Sequence, residues 1–287
     1  MQLFGKTEWT ERSPLNTKRR GFGVAQVRDV VYVIGGFSDH FLSSVEAYDP
    51  QTDTWTEKSP MNVPRRNLGT VVVDGKIFAI GGFSVKNTFE IDSDAIEVYD
   101  PETDTWTLLS TPLKTPRHSF GIDLFEGQIV IVGGSNCFGF LDSVDAFDPL
   151  THRWHSLSPL TLKRNGLGSV SANGSLFAIG GYDGQSVGIV ERLDRLDGQW
   201  RRVFVLPPRS IFGICLFNGL VFCAGGFRDG EILSSVDVFD PSSNSHGSIS
   251  PLLTPRANFR LVPLSTFILA IGGSFDRDTL LSSVESW

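Results

Sequence analysis

Methionine and cysteine are scarce in this chain, two and three residues among 287, and histidine is limited to five. The three thiols (Cys137, Cys215, Cys223) are odd in number and widely spaced. That excludes a disulfide framework, offers no zinc-type spacing, and leaves buried thiols acting as small hydrophobes as the expectation. No apolar stretch approaches the ~20 residues needed to cross a bilayer. Residues 1–6 lack the charged-then-apolar layout of a secretory leader, so a soluble, cytoplasmic protein with no membrane partner is expected. A formal net charge of −7 lacks the basic excess of a generic nucleic-acid binder and leaves room only for a local basic patch. Length does not set the number of domains, since all-β units commonly reach this size.

What is abundant is glycine, with 30 residues, and phenylalanine, with 22. Such a mix favours short strands and tight turns. Diglycines recur at Gly35-Gly36, Gly81-Gly82, Gly133-Gly134, Gly180-Gly181, Gly225-Gly226 and Gly272-Gly273, each after an apolar run such as Val31-Tyr32-Val33-Ile34. Spacings of 46, 52, 47, 45 and 47 residues mark an internal repeat. Twelve residues before each diglycine stands Gly23, Gly69, Gly121, Gly168 or Gly213, with Arg260 in the sixth copy. Midway lies a hairpin signal (Asp74-Gly75, Glu126-Gly127, Asn173-Gly174, Asn218-Gly219), with Arg28-Asp29 and Ser265-Thr266 in the outer copies. A tight turn of positive φ joins two antiparallel strands there and fixes the register. A third strand follows (Val45-Glu46-Ala47-Tyr48-Asp49-Pro50 and its equivalents). A fourth carries Trp55, Trp106, Trp154 or Trp200, with His246 in that slot in the fifth copy.

The chain opens on a lone fourth strand (Trp9 to Pro14) and stops after a third strand at Trp287, so each strand type occurs six times. The fold class expected is all-β: a six-bladed β-propeller with four antiparallel strands per blade. It forms one domain over residues 1–287, with the N-terminal strand joining the C-terminal blade and removing an open edge.

Diglycine, then Glu-x-Tyr-Asp-Pro, then Thr-Asp-Thr-Trp, with Pro-Arg opening the next unit, resembles the kelch repeat over essentially the whole chain. Runs such as Leu42-Ser43-Ser44-Val45-Glu46-Ala47-Tyr48-Asp49-Pro50 are most similar to the kelch domains of animal BTB-kelch proteins. Blade four departs furthest, with Leu193, Arg195 and Leu196 where the others have an aromatic and Asp-Pro. The resemblance implies a fragment of a larger BTB-kelch protein, not an enzyme and without a cofactor. Its propeller would recognise a substrate protein or peptide, while a BTB domain outside this chain engages a cullin-RING ubiquitin ligase. Two alternatives stand beside it: a scaffold binding actin, and a kelch-fold enzyme of the sialic-acid isomerase or copper oxidase type. Copper oxidation needs convergent Tyr, His and Cys, and only His40 and His118 fall on the loop-rich face.

Strand order places the loop leading into each first strand and the loop after each diglycine on one face, where variation and function concentrate. Four residues before each first-strand position lies an arginine: Arg19, Arg65, Arg117, Arg164, Arg209 and Arg256. With Lys18, Arg20, Arg66, Lys114 and Lys163 they make eleven of the 25 Lys and Arg residues, and His118 adds to them. Two readings fit. The arginines form a positive ring for anionic ligands, or they are blade-to-blade ties to an equally repeated acid (Glu46, Glu97, Asp145, Glu191, Asp237, Glu285). In kelch adaptors, the resemblance implies, arginines at this phase contact acidic peptides. The next position varies (Arg20, Arg66, His118, Asn165, Ser210, Ala257) as a specificity position does. Further candidates for partner contact follow the diglycines: His40, Phe41, Lys86, Phe89, Asn136, Phe138, Tyr182, Gln185, Arg228 and Arg277. Phe37, Phe83, Phe227 and Phe275, the first aromatics of their loops, are expected as props. The second blade's loop, residues 84–95, is about five residues longer and carries Glu90, Asp92 and Asp94 beside the basic centre. Calcium binding there lacks the ligand spacing.

Other signals carry less. The Ser-Pro pairs at Ser13, Ser59, Ser158 and Ser250 sit four residues after the Trp slot and read as strand ends. Asn173-Gly174-Ser175 is a hairpin tip, and His152 and His155 are surface histidines without a third ligand. No metal site is expected. Arg260, replacing a glycine near the axis, is expected to project into the channel mouth.

Overall fold

The structure is a computed structural model describing residues 8–86 and 88–287. Residues 1–6, read above for leader character, lie outside the described residues. Six four-stranded antiparallel sheets form the ring. Blade 1 comprises Gly23–Val27, Val30–Phe37, Phe41–Asp49 and Thr54–Lys58; blade 4 comprises Gly168–Ala172, Ser175–Ile179, Ile189–Leu193 and Trp200–Val205. In blade 6, Arg260–Pro263, Ile268–Ile271 and Val284–Ser286 are completed by Thr10–Arg12, in the register Thr10↔Ser286, Glu11↔Glu285, Arg12↔Val284. The N-terminal strand closes the ring, as the strand count requires.

The hairpin signals behave as their chemistry predicts. Asp74-Gly75, Glu126-Gly127, Asn173-Gly174 and Asn218-Gly219 all have both residues at positive φ, the geometry that matches strand twist. Arg28 alone does so in blade 1, and neither Ser265 nor Thr266 does in blade 6.

The core is distributed over six seams, each an apolar cluster shared by two adjacent blades. One joins Val33 and Tyr48 of blade 1 to Leu269 and Ile271 of blade 6; another joins Val130 and Val144 of blade 3 to Ala178 and Trp200 of blade 4. The outer strands tie neighbouring blades through indole N–H groups. Trp55 donates to the Ser13 carbonyl (2.9 Å), Trp106 to Ser59 (2.8 Å), Trp200 to Ser158 (3.0 Å) and Trp9 to Ser250 (3.0 Å). The Ser-Pro positions are therefore the strand ends that receive these tryptophans.

Two closed sets of backbone hydrogen bonds run around the axis. The second glycine of each diglycine donates to the carbonyl of the next blade's arginine: Gly36 to Arg65 (2.7 Å), Gly82 to Arg117 (2.9 Å), Gly134 to Arg164 (2.9 Å), Gly181 to Arg209 (2.9 Å), Gly226 to Arg256 (2.8 Å) and Gly273 to Arg19 (2.9 Å). Both glycines have positive φ, and a Cβ on Gly36 would stand 2.9 Å from the Arg20 carbonyl, so only glycine allows the approach. Nearer the axis, Asn67 donates to Gly21, Ser119 to Asn67, Gly166 to Ser119, Ile211 to Gly166, Asn258 to Ile211 and Gly21 to Asn258, at 2.5–3.0 Å. All six of these residues have positive φ.

Candidate functional site on the loop-bearing face

The six repeated arginines are not a ligand-binding ring. Arg19, Arg65, Arg117, Arg164 and Arg256 are 0% exposed and Arg209 is 2% exposed. Each guanidinium turns inward within its own blade and meets the third-strand carboxylate: Arg19–Glu46 at 2.5 Å, Arg65–Glu97 at 3.0 Å, Arg117–Asp145 at 2.7 Å, Arg164–Glu191 at 2.6 Å, and Arg209–Asp237 and Arg256–Glu285 also in contact. Backbone carbonyls accept from further donors of the fork. Arg65 Nη1 donates to Gly81 (3.1 Å) and Ala95 (2.8 Å), and Arg256 Nη1 to Gly272 and Ser283 (3.0 Å each). The expectation that these six residues bind a partner is therefore corrected: the repeat spends them on pinning the lead-in loop to its blade. The partner is the repeated acid, but the side-chain tie lies within a blade, and it is the arginine backbone that reaches across, its carbonyl accepting from the diglycine and its N–H donating, as from Arg65 to Leu42 (3.1 Å).

The carboxylates have a second task that depends on side-chain length. Glu46 accepts from the backbone N–H groups of Asn16 (2.7 Å) and Thr17 (3.1 Å), Glu97 from Asn62 (2.7 Å) and Val63 (3.2 Å), and Glu285 from Leu253 (2.8 Å) and Thr254 (3.0 Å). Asp145 and Asp237, one methylene shorter, instead accept from fourth-strand hydroxyls, Ser156 (2.9 Å) and Ser248 (2.8 Å). Burial holds Arg65 down at about 10, offset in part by Glu97, so the guanidinium remains charged at neutral pH.

The residue after each arginine forms the inner rim of the face. Each pairs through its backbone with the residue after the diglycine: Arg20↔Phe37, Arg66↔Phe83, His118↔Ser135, Asn165↔Tyr182, Ser210↔Phe227 and Ala257↔Ser274. Arg20, Arg66, His118 and Asn165 are half-buried, whereas Ser210 and Ala257 are buried. Ser210, expected as a contact, is thus withdrawn, its hydroxyl turned to the Phe227 carbonyl.

Blades 1 to 3 bind this rim together. Arg66 lies 5.1 Å from the ring centroids of Phe37 and Phe41 and 5.4 Å from that of Phe83, and it pairs with Glu90 at 3.2 Å. Phe41, expected to reach a partner, instead packs edge-on against Phe37 under this guanidinium. Arg20 sits over Phe37 and donates to the Arg277 carbonyl (2.8 Å). His118 stacks on Phe83 with centroids 3.7 Å apart, and its Nδ1 contacts Asp92 (2.7 Å) while its Nε2 contacts the Ser135 hydroxyl (2.9 Å). Burial pushes the His118 pKa below its usual value, with Asp92 opposing. Asn165 donates to the same Ser135 hydroxyl at 3.0 Å.

Above the rim stand short hairpins. The long second-blade loop is ordered as Phe83–Lys86 against Phe89–Asp92, and the third-blade loop as Ser135–Asn136 against Gly139–Phe140. Asp92 joins them by accepting from the Cys137 N–H at 2.8 Å. These hairpins carry Phe89, 73% exposed, and Phe138, 93% exposed, with Val85, Ile91 and Lys86 also open to solvent. Asn136 is half-buried and accepts from the Phe138 N–H (2.9 Å), which sets that tip. The other expected contacts divide. His40, Gln185 and Arg277 are exposed, His40 beside Asp39 at 2.6 Å. Arg228 is half-buried, and Tyr182 is half-buried edge-on to Phe140. Phe37, Phe83 and Phe227 are half-buried props, whereas Phe275 is 46% exposed. Glu90, Asp92 and Asp94 gather no metal-binding group, and no cluster of three or more His, Cys, Asp or Glu suited to a metal occurs among the described residues. The sequence did not show the aromatic bed beneath Arg66, because Phe37, Phe41 and Phe83 come from two blades.

Comparisons with known proteins agree with this architecture. Residues 4–181 match the KLHDC2/KLHL20/DRC7 Kelch-repeats domain, and residues 163–203 and 208–252 match the Kelch motif. Kelch-like protein 28 of Homo sapiens is 38% identical over 101 residues, covering 32% of this chain and 18% of that protein. Kelch-like protein 26 of Danio rerio is 35% identical over 186 residues, covering 61% and 30%. Kelch-like protein 41a of Danio rerio is 27% identical over 179 residues, again 61% and 30%. The matched region thus spans less than a third of each of these relatives. Among solved structures, that of YjhT superposes with a TM-score of 0.84 over 94% of this chain and 95% of its own; at 16% identity the likeness is one of fold. The chain belongs to the kelch-repeat family, with a propeller like the kelch domain of BTB-kelch proteins.

Proposed function

We propose that this propeller is the substrate-recognition domain of a BTB-kelch adaptor for a cullin-RING ubiquitin ligase. It is a binding module rather than an enzyme, and it takes a segment of a partner protein on blades 1 to 3 of its loop-bearing face. The observation that carries the reading is the pair of aromatic side chains, Phe89 and Phe138, held out in water by two hairpins that Asp92 ties together. Large exposed aromatics on braced elements are what binding hot spots are made from. On the same face, Lys86 and Arg20 supply positive charge and take part in no ion pair among the described residues, while Glu90 already occupies Arg66. The segment that fits is an apolar anchor flanked by acidic residues, a narrower requirement than a general positive ring would impose. The ligase role, and with it a cytoplasmic setting, rests on the kelch-like relatives. They extend well beyond the matched region and leave room for a BTB domain outside these residues.

Quantitative affinity capture with the wild type and Phe89→Ala/Phe138→Ala tests the binding surface. Partners of this surface should be lost from the variant, with affinity down about 10-fold or more; equal retention by both proteins would sink the proposal. Failure of the full-length protein to co-isolate a cullin would remove the ligase role while leaving the binding surface standing. Cosedimentation with filamentous actin would replace it with the cytoskeletal alternative.

A further inference from the structure

The ring encloses an axial channel of about 540 Å³, lined by the first strands of all six blades. Five of those strands begin with glycine, and the reason is crowding: a Cβ on Gly23 would stand 2.3 Å from the Thr70 methyl, and one on Gly121 2.9 Å from Ser169. The sixth begins with Arg260 in the same register, Arg260↔Ile271 as Gly168↔Ile179. Its side chain lines the channel. The guanidinium donates one hydrogen bond, from Nη1 to the carbonyl of its neighbour Phe259 at 3.0 Å, and no carboxylate reaches ion-pair distance among the described residues. Each lead-in arginine, by contrast, meets a carboxylate and carbonyls. Desolvation pushes Arg260 down to about 10 with no acid to offset it, so it remains a cation at neutral pH. Arg260 is half-buried, and a cation partly withdrawn from water gains from a counter-charge that meets it.

Polar residues are spread around the same wall: Asn67, Ser119 and Asn258 line the space from blades 2, 3 and 6. Asp123 enters from blade 3, opposite blade 6. Its carboxylate accepts from the N–H groups of Ser171 and Leu124, so it faces the adjoining wall. The channel therefore presents positive charge and hydrogen-bond donors with one acid already engaged.

We propose that the axial channel is a binding site for a small oxyanion, a carboxylate or phosphate group, held by Arg260 with the polar groups of the channel wall. The site is separate from the partner surface on the hairpins and does not depend on that reading. The test is a thermal-shift and calorimetric titration of the whole chain with sodium acetate and with sodium phosphate, against sodium chloride at matched ionic strength. The proteins are the wild type, Arg260→Gly, Arg260→Gln and Arg277→Ala. The expected result is saturable binding in the wild type and in Arg277→Ala, weakened roughly 10- to 100-fold in both Arg260 variants. Binding by acetate alone identifies a carboxylate ligand, and binding by phosphate alone a phosphate. A wild type that responds to neither anion beyond chloride, or Arg260 variants that respond as the wild type does, would overturn the proposal. Glycine is what the other five blades carry at this position, and the anion-free melting curves of both variants establish that they are folded.

Discussion

Truncating Arg65 separates a structural arginine from a binding one. In Arg65→Ala the Glu97 carboxylate stays buried without its counter-ion, and the carbonyls of Gly81, Ala95 and Ala79 each lose a donor. Breaking a buried ion pair from one side costs about 3–5 kcal/mol. The whole domain is held by roughly 5–15 kcal/mol, so the loss is a large share of its stability and lowers Tm by roughly 10 °C. In Arg65→Met/Glu97→Gln no charge is left behind, and the amide oxygen still accepts from the Asn62 or Val63 N–H. That variant should lose about 2 kcal/mol, the order of one or two hydrogen bonds. Urea unfolding of the three proteins, fitted with a common slope, measures both quantities. If Arg65→Ala unfolds within 1 kcal/mol of the wild type, a figure on the scale of a surface substitution, while losing its partner, the arginine is a contact residue and the pinning role is wrong.

Two further outcomes follow from the geometry. Deleting residues 1–13 removes Thr10–Arg12 and the Trp9 indole that donates to Ser250, and it strips the Val284–Ser286 edge. The shortened protein should elute as oligomers by size exclusion and melt well below the wild type; a monomer with unchanged melting would refute the closure. His118 should titrate below its ordinary 6.5 by NMR, because burial outweighs Asp92. Between its depressed folded pKa and 6.5 the unfolded chain binds the extra proton, so stability falls as pH drops through that window. In His118→Gln that part of the pH dependence should vanish, and a midpoint above 6.5 would reverse the sign.

The repeat was readable because its punctuation is local. Diglycine, hairpin turn and Trp slot each report a backbone demand at one position, and the unpaired first strand told how the ring shuts. The role of the arginines was not readable to the same depth, since their phase announces a repeated task without saying which way the guanidinium turns. The acid partners lie 27–32 residues downstream, beyond loops of differing length, and burial decides between pairing and display. Phe41 misled for a similar reason: an aromatic late in a loop suggests an anchor until Arg66 of the next blade covers it. The two backbone rings leave no trace in side-chain identity beyond their glycines. Arg260 did stand out, because it breaks a glycine series whose cause is steric.

The inner backbone belt from Gly21 through Asn67, Ser119, Gly166, Ile211 and Asn258 back to Gly21 behaves as a hoop. A hoop has no weakest end, and the seam holding both chain termini carries the same bonds as the other five. A load applied at blades 2 and 3 divides between the two arcs and meets again on the far side. The propeller therefore resists being peeled open at its closure, and a load on one blade is shared by the whole wheel.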